Sequence, residues 1–293
     1  MLLASMKNLV ITTIIWAFSF SLIGVYLSGS VDPYFSVLIR IALAVVVFMP
    51  FLLRKKIALN KALQLMGIGA VELGLMYLFY YQSFEFLTVP EVLIFTIFTP
   101  IYVTLIYDLQ RKRFSGRFLL TASLAVLGTA VIRWGAINSS FLIGCLAVQG
   151  SNVCFAYGQV AYKRLADKGH HIDHHSFGYF YLGALIVALI AWLSLGNGKI
   201  PVQPVQWVVL LWLGIVASGA GFFLWNQGAR QVNSGALAIM NNALVPAGLL
   251  VNLLIWNRDV HLPRLTLGAA IIVLSLVINQ RWAGKTASPS SNA

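Results

Sequence analysis

Charge is scarce in this sequence: 20 lysines and arginines and eight acidic residues make up 10% of its 293 positions. A water-soluble domain cannot clothe its surface with so few ionised groups, since such domains carry roughly a quarter of their residues charged. Cysteine is nearly absent. Cys145 and Cys154 fall nine residues apart in one apolar run, a placement that excludes a disulfide scaffold and leaves two reduced packing residues. Nucleophile elbows, phosphate-cradling glycine loops and cysteine pairs with metal spacing are missing too. Nothing here argues for an enzyme, and no cofactor is implied.

Apolar side chains supply what charge does not: they form 59% of the chain and raise its mean hydropathy to +0.85. Crossing a hydrocarbon core of about 30 Å takes about 20 apolar residues per helix, so the chain has room for about ten spans and little else. Apolar runs predict helices near 7–27, 33–53, 62–84, 88–107 and 117–134, then 140–163, 174–195, 206–228, 233–257 and 263–282. The predicted fold class is an all-α integral membrane protein of ten transmembrane helices. The first run exceeds a signal-peptide core and no small-residue cleavage site ends it, so it reads as a retained helix. Residues 283–293, "AGKTASPSSNA" in the context of 283 onward, have nothing to bury and read as a disordered tail.

The net charge of +12 is a matter of topology. Fifteen basic residues fall on one side of the predicted membrane: Lys7, Arg54 to Lys56, Lys61, Arg111 to Arg113, Arg117, Lys163, Arg164, Lys168, Arg230, Arg281 and Lys285. Arg133, Lys199, Arg258 and Arg264 fall on the other, and Arg40 lies inside a span. The positive-inside rule then places both termini in the cytoplasm. The charge implies no nucleic-acid partner; the surroundings are membrane lipid. Within the loop "HHIDHH" (170–175), His171, His174 and His175 resemble one histidine box of membrane di-iron enzymes. Those enzymes need several boxes, and the fifth histidine, His261, is assigned to the opposite face. A solvated loop with no metal site is the better reading, although a membrane enzyme or metal-binding protein using this loop stays open as an alternative.

Internal similarity shapes the expected architecture. Shifting the chain by 146 residues sets "YLFYYQSFEFLTVPEVLIFTIFTPI" (77–101) over "FLWNQGARQVNSGALAIMNNALVPA" (223–247) without a gap, Pro100 on Pro246 and Thr88 on Ser234. Each segment covers the end of the third helix of its half, a turn and the fourth helix. Five helices is an odd number, so a second half of five enters the membrane in the opposite sense. The expected organisation is two inverted five-helix repeats, 1–137 and 138–282, followed by the tail 283–293. Inverted repeats are the usual architecture of secondary transporters, with substrate near the midplane between them.

Polar residues inside the spans mark the candidate site. Arg40 lies seven residues into the second helix, about 10 Å below its end at 1.5 Å per residue, where a charge costs ~2.5–3.5 kcal/mol or more. It either pairs with Glu72 or Glu91 to lock helices or receives the carboxylate of a substrate. Glu72 and Glu91 are also the candidates for proton coupling. On the sixth helix Gln149, Asn152, Ala156, Gln159 and Lys163 recur at three- and four-residue steps and share one face. Asn226 and Trp225 add an amide and an indole on the eighth helix. In "IMNNALVP", Pro246 removes the helical partner of the Asn242 carbonyl. Neighbouring helix positions point about 100° apart, so one of Asn241 and Asn242 is expected to face a cavity while the other bonds a neighbouring helix. Trp16 and Tyr102 complete the set as aromatic cover. Amides, aromatic faces and one arginine suit a small-molecule carboxylate with a neutral polar head and an apolar body.

Three stretches carry a wider resemblance: "IIWAFSFS" in the first helix, "LTVPEVLIFTIFTPIYVTLIYD" on the fourth, and "VASGAGFFLWNQGARQVNSGALAIMNNALVPAGLLVNLLIW" on the eighth and ninth. Together they resemble the EamA-type drug/metabolite transporter superfamily over residues 7–282. More narrowly, "FSFS" and "IMNNALVPAGLLVNL" are similar to the biotin-carrying members of its carboxylate, amino acid and amine branch. The resemblance implies a ten-helix secondary carrier that imports biotin across a bacterial inner membrane, with an exporter of amino acids or other metabolites as the alternative on the same fold. It assigns no binding residue.

Overall fold

The computed structural model describes residues 2–54, 57–110, 138–167, 174–232 and 234–256, with six scattered positions between 263 and 274. Those residues fold into helices and contain no strand. In chain order α1 is Leu2–Tyr26, α2 Pro33–Arg54 and α3 Leu59–Ser83. The fourth helix, α4, starts as Val89–Phe95, tightens to a 3-10 turn at Thr96–Phe98 and resumes as Thr99–Gln110. Next come α5 (Ser139–Asp167), α6 (His174–Leu195), α7 (Pro204–Gln231) and α8 (Ser234–Val251, closing in a π segment at Asn252–Trp256). Seven of these runs are long and apolar enough to cross a membrane, by length and composition. The predicted fifth span, 117–134, and the tail lie outside the described residues, and the tenth span, 263–282, does so for the most part.

Local chemistry explains the boundaries. Asp32 precedes Pro33 and caps α2, its Oδ1 accepting the amide N–H of Tyr34 at 2.8 Å. Its second oxygen accepts the N–H groups of Asn197 and Gly198 at 2.6 and 3.3 Å, tying the turn after α1 to the loop after α6. At the start of α4, Glu91 Oε2 accepts the Thr88 N–H at 2.8 Å and the Thr88 hydroxyl at 2.9 Å. This is a capping box, with Pro90 in the first turn.

Helices of the two predicted halves interleave. α1 packs on α7 and α8, and α5 packs in the same way on α3 and α4. α2 packs on α6 and α7, and α6 packs on α2 and α3. Exchanging α1 with α5, α2 with α6, α3 with α7 and α4 with α8 leaves these pairings unchanged. Glycines bring α3 and α6 into backbone contact: a Cβ at Gly69 would collide with the Phe180 carbonyl, and one at Gly183 with the Met66 carbonyl.

Both α3 and α7 loosen into π geometry part-way along, over Ala70–Leu75 and Leu213–Ala220. Such bulges widen the helix and free carbonyls from the regular ladder, and they concentrate at functional sites. The 146-residue shift superposes them, placing Glu72 on Ser218.

Candidate functional site

Between α1, α2, α3, α4, α5, α7 and α8 lies a cavity with an accessible volume of about 80 Å³. Its walls are largely aromatic. Trp16, Phe20, Tyr77, Tyr80, Phe155 and Phe222 line it, and Trp16 lies 4.8 Å from Phe222 and 5.9 Å from Phe155 between ring centroids.

Arg40 is the cation of the cavity wall and is 2% exposed. The pairing with Glu72 or Glu91 that the sequence left open does not form: the described partners of Arg40 are hydroxyls and rings. Its Nε donates to Ser218 Oγ, Nη1 donates to the Tyr81 hydroxyl at 3.3 Å, and the guanidinium carbon sits 4.1 Å from the centroid of the Tyr77 ring. Ser218 Oγ lies 2.9 Å from the Tyr77 hydroxyl. A charge held by neutral groups keeps its attraction for an anion, and with Nε and one Nη1 hydrogen engaged, the outer end of the guanidinium is what remains to grip a carboxylate.

Ser218 belongs to the π segment of α7, and that segment is anchored from several sides. The Tyr181 hydroxyl is 2.7 Å from the Ser218 carbonyl and 2.8 Å from that of Gly219. Trp16 Nε1 donates to the Ala217 carbonyl at 2.9 Å. The irregular backbone is therefore satisfied by side chains of α1 and α6, which fix the serine under Arg40.

Across the cavity, α4 opens where Pro100 removes an N–H from the helix ladder. The Thr96 carbonyl, which loses its partner, lies 2.8 Å from the Thr99 hydroxyl. The Phe95 carbonyl accepts Asn152 Nδ2 at 2.7 Å, and the Asn152 amide oxygen lies 3.2 Å from the same Thr99 hydroxyl. Asn152 thus bridges α5 to the opened turn of α4, with Thr96 and Thr99 beside it on the cavity wall. Asn241 lines the cavity from α8 and pairs with Gln159 on α5, each amide nitrogen 3.4 Å from the other's oxygen. The expectation divided two roles between Asn241 and Asn242, whereas Asn241 fills both. Ser19, also on the wall, has a buried hydroxyl with no described partner.

Of the residues singled out in the sequence, Arg40, Asn152, Asn241 and Trp16 meet at this cavity. Gln149 and Tyr102 stand behind Asn152, the Tyr102 hydroxyl donating to Gln149 Oε1 at 3.0 Å and Asn152 donating to that oxygen at 3.2 Å. Trp225 is buried behind Trp16, 5.0 Å away. Asn226 faces Glu72, away from the lining, at 3.4 Å. Asn242 is half-buried outside the lining, its amide oxygen without a described partner. Glu91 serves the cap of α4. Tyr77, Ser218 and Thr99 escaped the sequence reading because hydroxyls and phenols inside apolar runs are cheap and common; the run "MYLFYYQ" was the available signal.

Outside the cavity, Cys145 and Cys154 are free thiols. His175 Nδ1 lies 3.1 Å from the Phe51 carbonyl, and the His174 ring packs on Phe51. His171 lies outside the described residues, among which no metal-ligating group of three or more occurs.

A polytopic helical protein with a buried arginine in an aromatic cavity has the form of a small-molecule carrier. The EamA-like transporter family model matches residues 5–134 and again 142–280, and the chain belongs to that family. It is a multi-pass membrane transporter and not an enzyme. It is 49% identical to the biotin transporter of Salmonella typhimurium over 279 residues, covering 94% of this chain and 93% of the relative. With the biotin transporter of Escherichia coli it shares 47% identity over 289 residues, 98% of this chain and 97% of the relative. A probable biotin transporter of Pseudomonas aeruginosa is 49% identical over 278 residues, 94% of this chain and 97% of the relative. A solved crystal structure aligns over 97% of this chain and 99% of its own with a TM-score of 0.67 at 17% identity, a likeness of fold alone.

Proposed function

We propose that this protein imports biotin across the bacterial inner membrane by alternating access between two inverted five-helix halves, 1–137 and 138–282, with both termini in the cytoplasm. The observation that carries the substrate is Arg40, fully enclosed, held by neutral hydroxyls and facing an aromatic cavity. Biotin offers one carboxylate for that guanidinium, an apolar body for the aromatic walls, and a ureido head whose N–H donors and carbonyl match amides such as Asn241 and Asn152. The names of the relatives support the same molecule. Two matches of one family model, the exchange pattern of helix contacts and the superposing π segments support two related halves. The basic residues that crowd one face support the orientation.

Counterflow of labelled biotin into proteoliposomes loaded with unlabelled biotin tests the substrate, and uptake by cells against uptake by inverted vesicles tests the direction. Biotin exchange, competed by biotin and not by amino acids, is the expected result. Exchange of amino acids without exchange of biotin would replace this reading with the exporter.

A further inference from the structure

One buried acid lies off the cavity. Glu72, in the π segment of α3, is fully enclosed, and its described donor is Asn226 Nδ2 on α7, 3.4 Å from Oε1. The same nitrogen donates to the Phe222 carbonyl at 3.1 Å. Among the described residues, two atoms of this pair have no hydrogen-bond partner: Glu72 Oε2 and Asn226 Oδ1. Both are acceptors while Glu72 is ionised, so neither can serve the other. A single proton removes the conflict. Protonated Oε2 becomes a donor, and a carboxylic acid facing a primary amide forms a reciprocal pair, N–H to Oε1 and O–H to Oδ1. An ionised carboxylate enclosed with one weak donor is, by contrast, among the costliest arrangements a membrane interior holds.

Among the described residues, the surroundings suit a proton and offer no competing charge. From α5 the carboxyl meets Gly158, where a Cβ would collide with the Glu72 side chain. From α6 the titratable group facing it is Tyr181, whose hydroxyl is engaged with the carbonyls of Ser218 and Gly219. From α7 it meets the Asn226 amide, and Arg40 on α2 is occupied by Ser218 and Tyr81. The site is nonetheless one helical turn from the cavity on both helices: Met76 follows Glu72 by four residues, Phe222 precedes Asn226 by four, and both line the cavity.

We propose that Glu72 binds a proton that crosses with the substrate, and that the Glu72–Asn226 pair is the proton-dependent clasp between α3 and α7. On loading, the carboxylate takes a proton from water and the O–H bond to Asn226 Oδ1 closes the clasp. On release the O–H bond of the acid breaks, the proton returns to water, and the pair keeps one of its two links. The identity of the co-transported molecule rests on the biotin reading; a monocarboxylate anion moving with one proton makes the step electroneutral.

The purified full chain in proteoliposomes provides the test. Wild-type protein is expected to accumulate biotin under an inward proton gradient, to lose accumulation on adding a protonophore, and to ignore a sodium gradient. Glu72→Gln keeps donor and acceptor for Asn226 at every pH, so it is expected to retain measurable biotin counterflow while gradient-driven accumulation falls at least tenfold. Infrared spectra of wild-type protein carrying ¹³C-glutamate give a second readout, since the chain has three glutamates, Glu72, Glu85 and Glu91. A label-sensitive protonated-carboxyl band at neutral pH is expected. Accumulation by Glu72→Gln equal to wild type, a sodium-driven wild type, or absence of the band overturns the proposal. Where Glu72→Gln fails to reach the membrane, the wild-type band decides. Absence of any biotin counterflow in wild type counts against the substrate reading instead, and the band still judges Glu72.

Discussion

The π segments of α3 and α7 occupy corresponding places in the two predicted halves and share one backbone device, yet they serve different ends. In α7 the segment turns a small hydroxyl, Ser218, toward Arg40 at the cavity, and its carbonyls at Ala217, Ser218 and Gly219 are all taken by side chains of α1 and α6. In α3 the segment buries an acid away from the cavity, with one amide as its described donor and one oxygen unmatched. A fully satisfied polar network is rigid, whereas a partly satisfied one has a second arrangement within reach. On the proposed reading, the α7 bulge holds a ligand contact still and the α3 bulge responds to a proton.

The largest expected effect comes from removing what the α7 segment holds. Arg40→Ala leaves the substrate carboxylate enclosed without a partner, a loss of ~2–5 kcal/mol, roughly 30- to 5,000-fold in affinity. Arg40→Lys keeps the charge but not the planar contact on Tyr77 or the Nε bond to Ser218, and is expected to fall in between. Binding of biotin against biotin amide, measured by calorimetry on the purified variants, isolates the carboxylate: the variants should lose discrimination between the two. Equal losses for both ligands would mean that Arg40 supports the fold and not the anion.

Why Arg40 was legible and its setting was not follows from cost. A guanidinium inside an apolar run is expensive wherever it points, so its presence alone announces a role. The spans were legible for the same reason, because about 20 apolar residues in sequence have no other economical use. Serine, threonine and tyrosine carry no such penalty in a helix, so Ser218, Thr99 and Tyr77 look like filler until the fold brings them together. The π segments "AVELGL" and "LGIVASGA" contain no proline and no run that a regular helix would refuse. Asn226 was visible as a polar residue, but its partner lies 154 positions away. The role of Glu91 was written locally as Thr88-Val-Pro-Glu91, a threonine with a glutamate three residues on.

Ser218→Ala separates scaffold from ligand contact on the α7 side. The variant strips the acceptor from Arg40 Nε and leaves a buried donor unmatched, about 1–3 kcal/mol, or roughly 5- to 150-fold weaker biotin binding. Binding of biotin amide should change little. Asn241→Leu is expected to act at the other end of the ligand, by about 1–2 kcal/mol, whereas Asn242→Leu, off the cavity and with no described partner to lose, is expected to change affinity little. Reversal of that order would move the ureido contact to Asn242.

On the α3 side the comparison turns on space. A methyl at Gly158 has to displace Glu72, whereas one at Gly219, in the α7 segment, meets the Gly214 carbonyl oxygen at 3.3 Å and Val47 Cγ2 at 3.6 Å. Gly158→Ala is therefore expected to lower stability in detergent by about 1–3 kcal/mol, the range for an overfilled core, and Gly219→Ala by less. Thermal melting of the two variants side by side checks the order. Equal melting temperatures would show that α5 does not press on Glu72.

The smallest effect belongs to Glu91, the second intramembrane carboxylate considered for coupling. Its Oε2 accepts both the N–H and the hydroxyl of Thr88, which makes it the third residue of a helix cap. Glutamine performs that task nearly as well, since its amide oxygen accepts the same N–H. Glu91→Gln is thus expected to cost well under the ~1 kcal/mol typical of losing a cap altogether, and to accumulate biotin under a proton gradient as wild type does. Thr88→Ala, which removes the other half of the cap, should approach that full value in thermal stability without touching transport. The contrast with Glu72→Gln is the sharpest form of the comparison: the same chemical change, a carboxylate to an amide, in two helices of one half. If Glu91→Gln abolished gradient-driven accumulation while Glu72→Gln kept it, the proton would belong to the cap of α4 and the α3 segment would be structural.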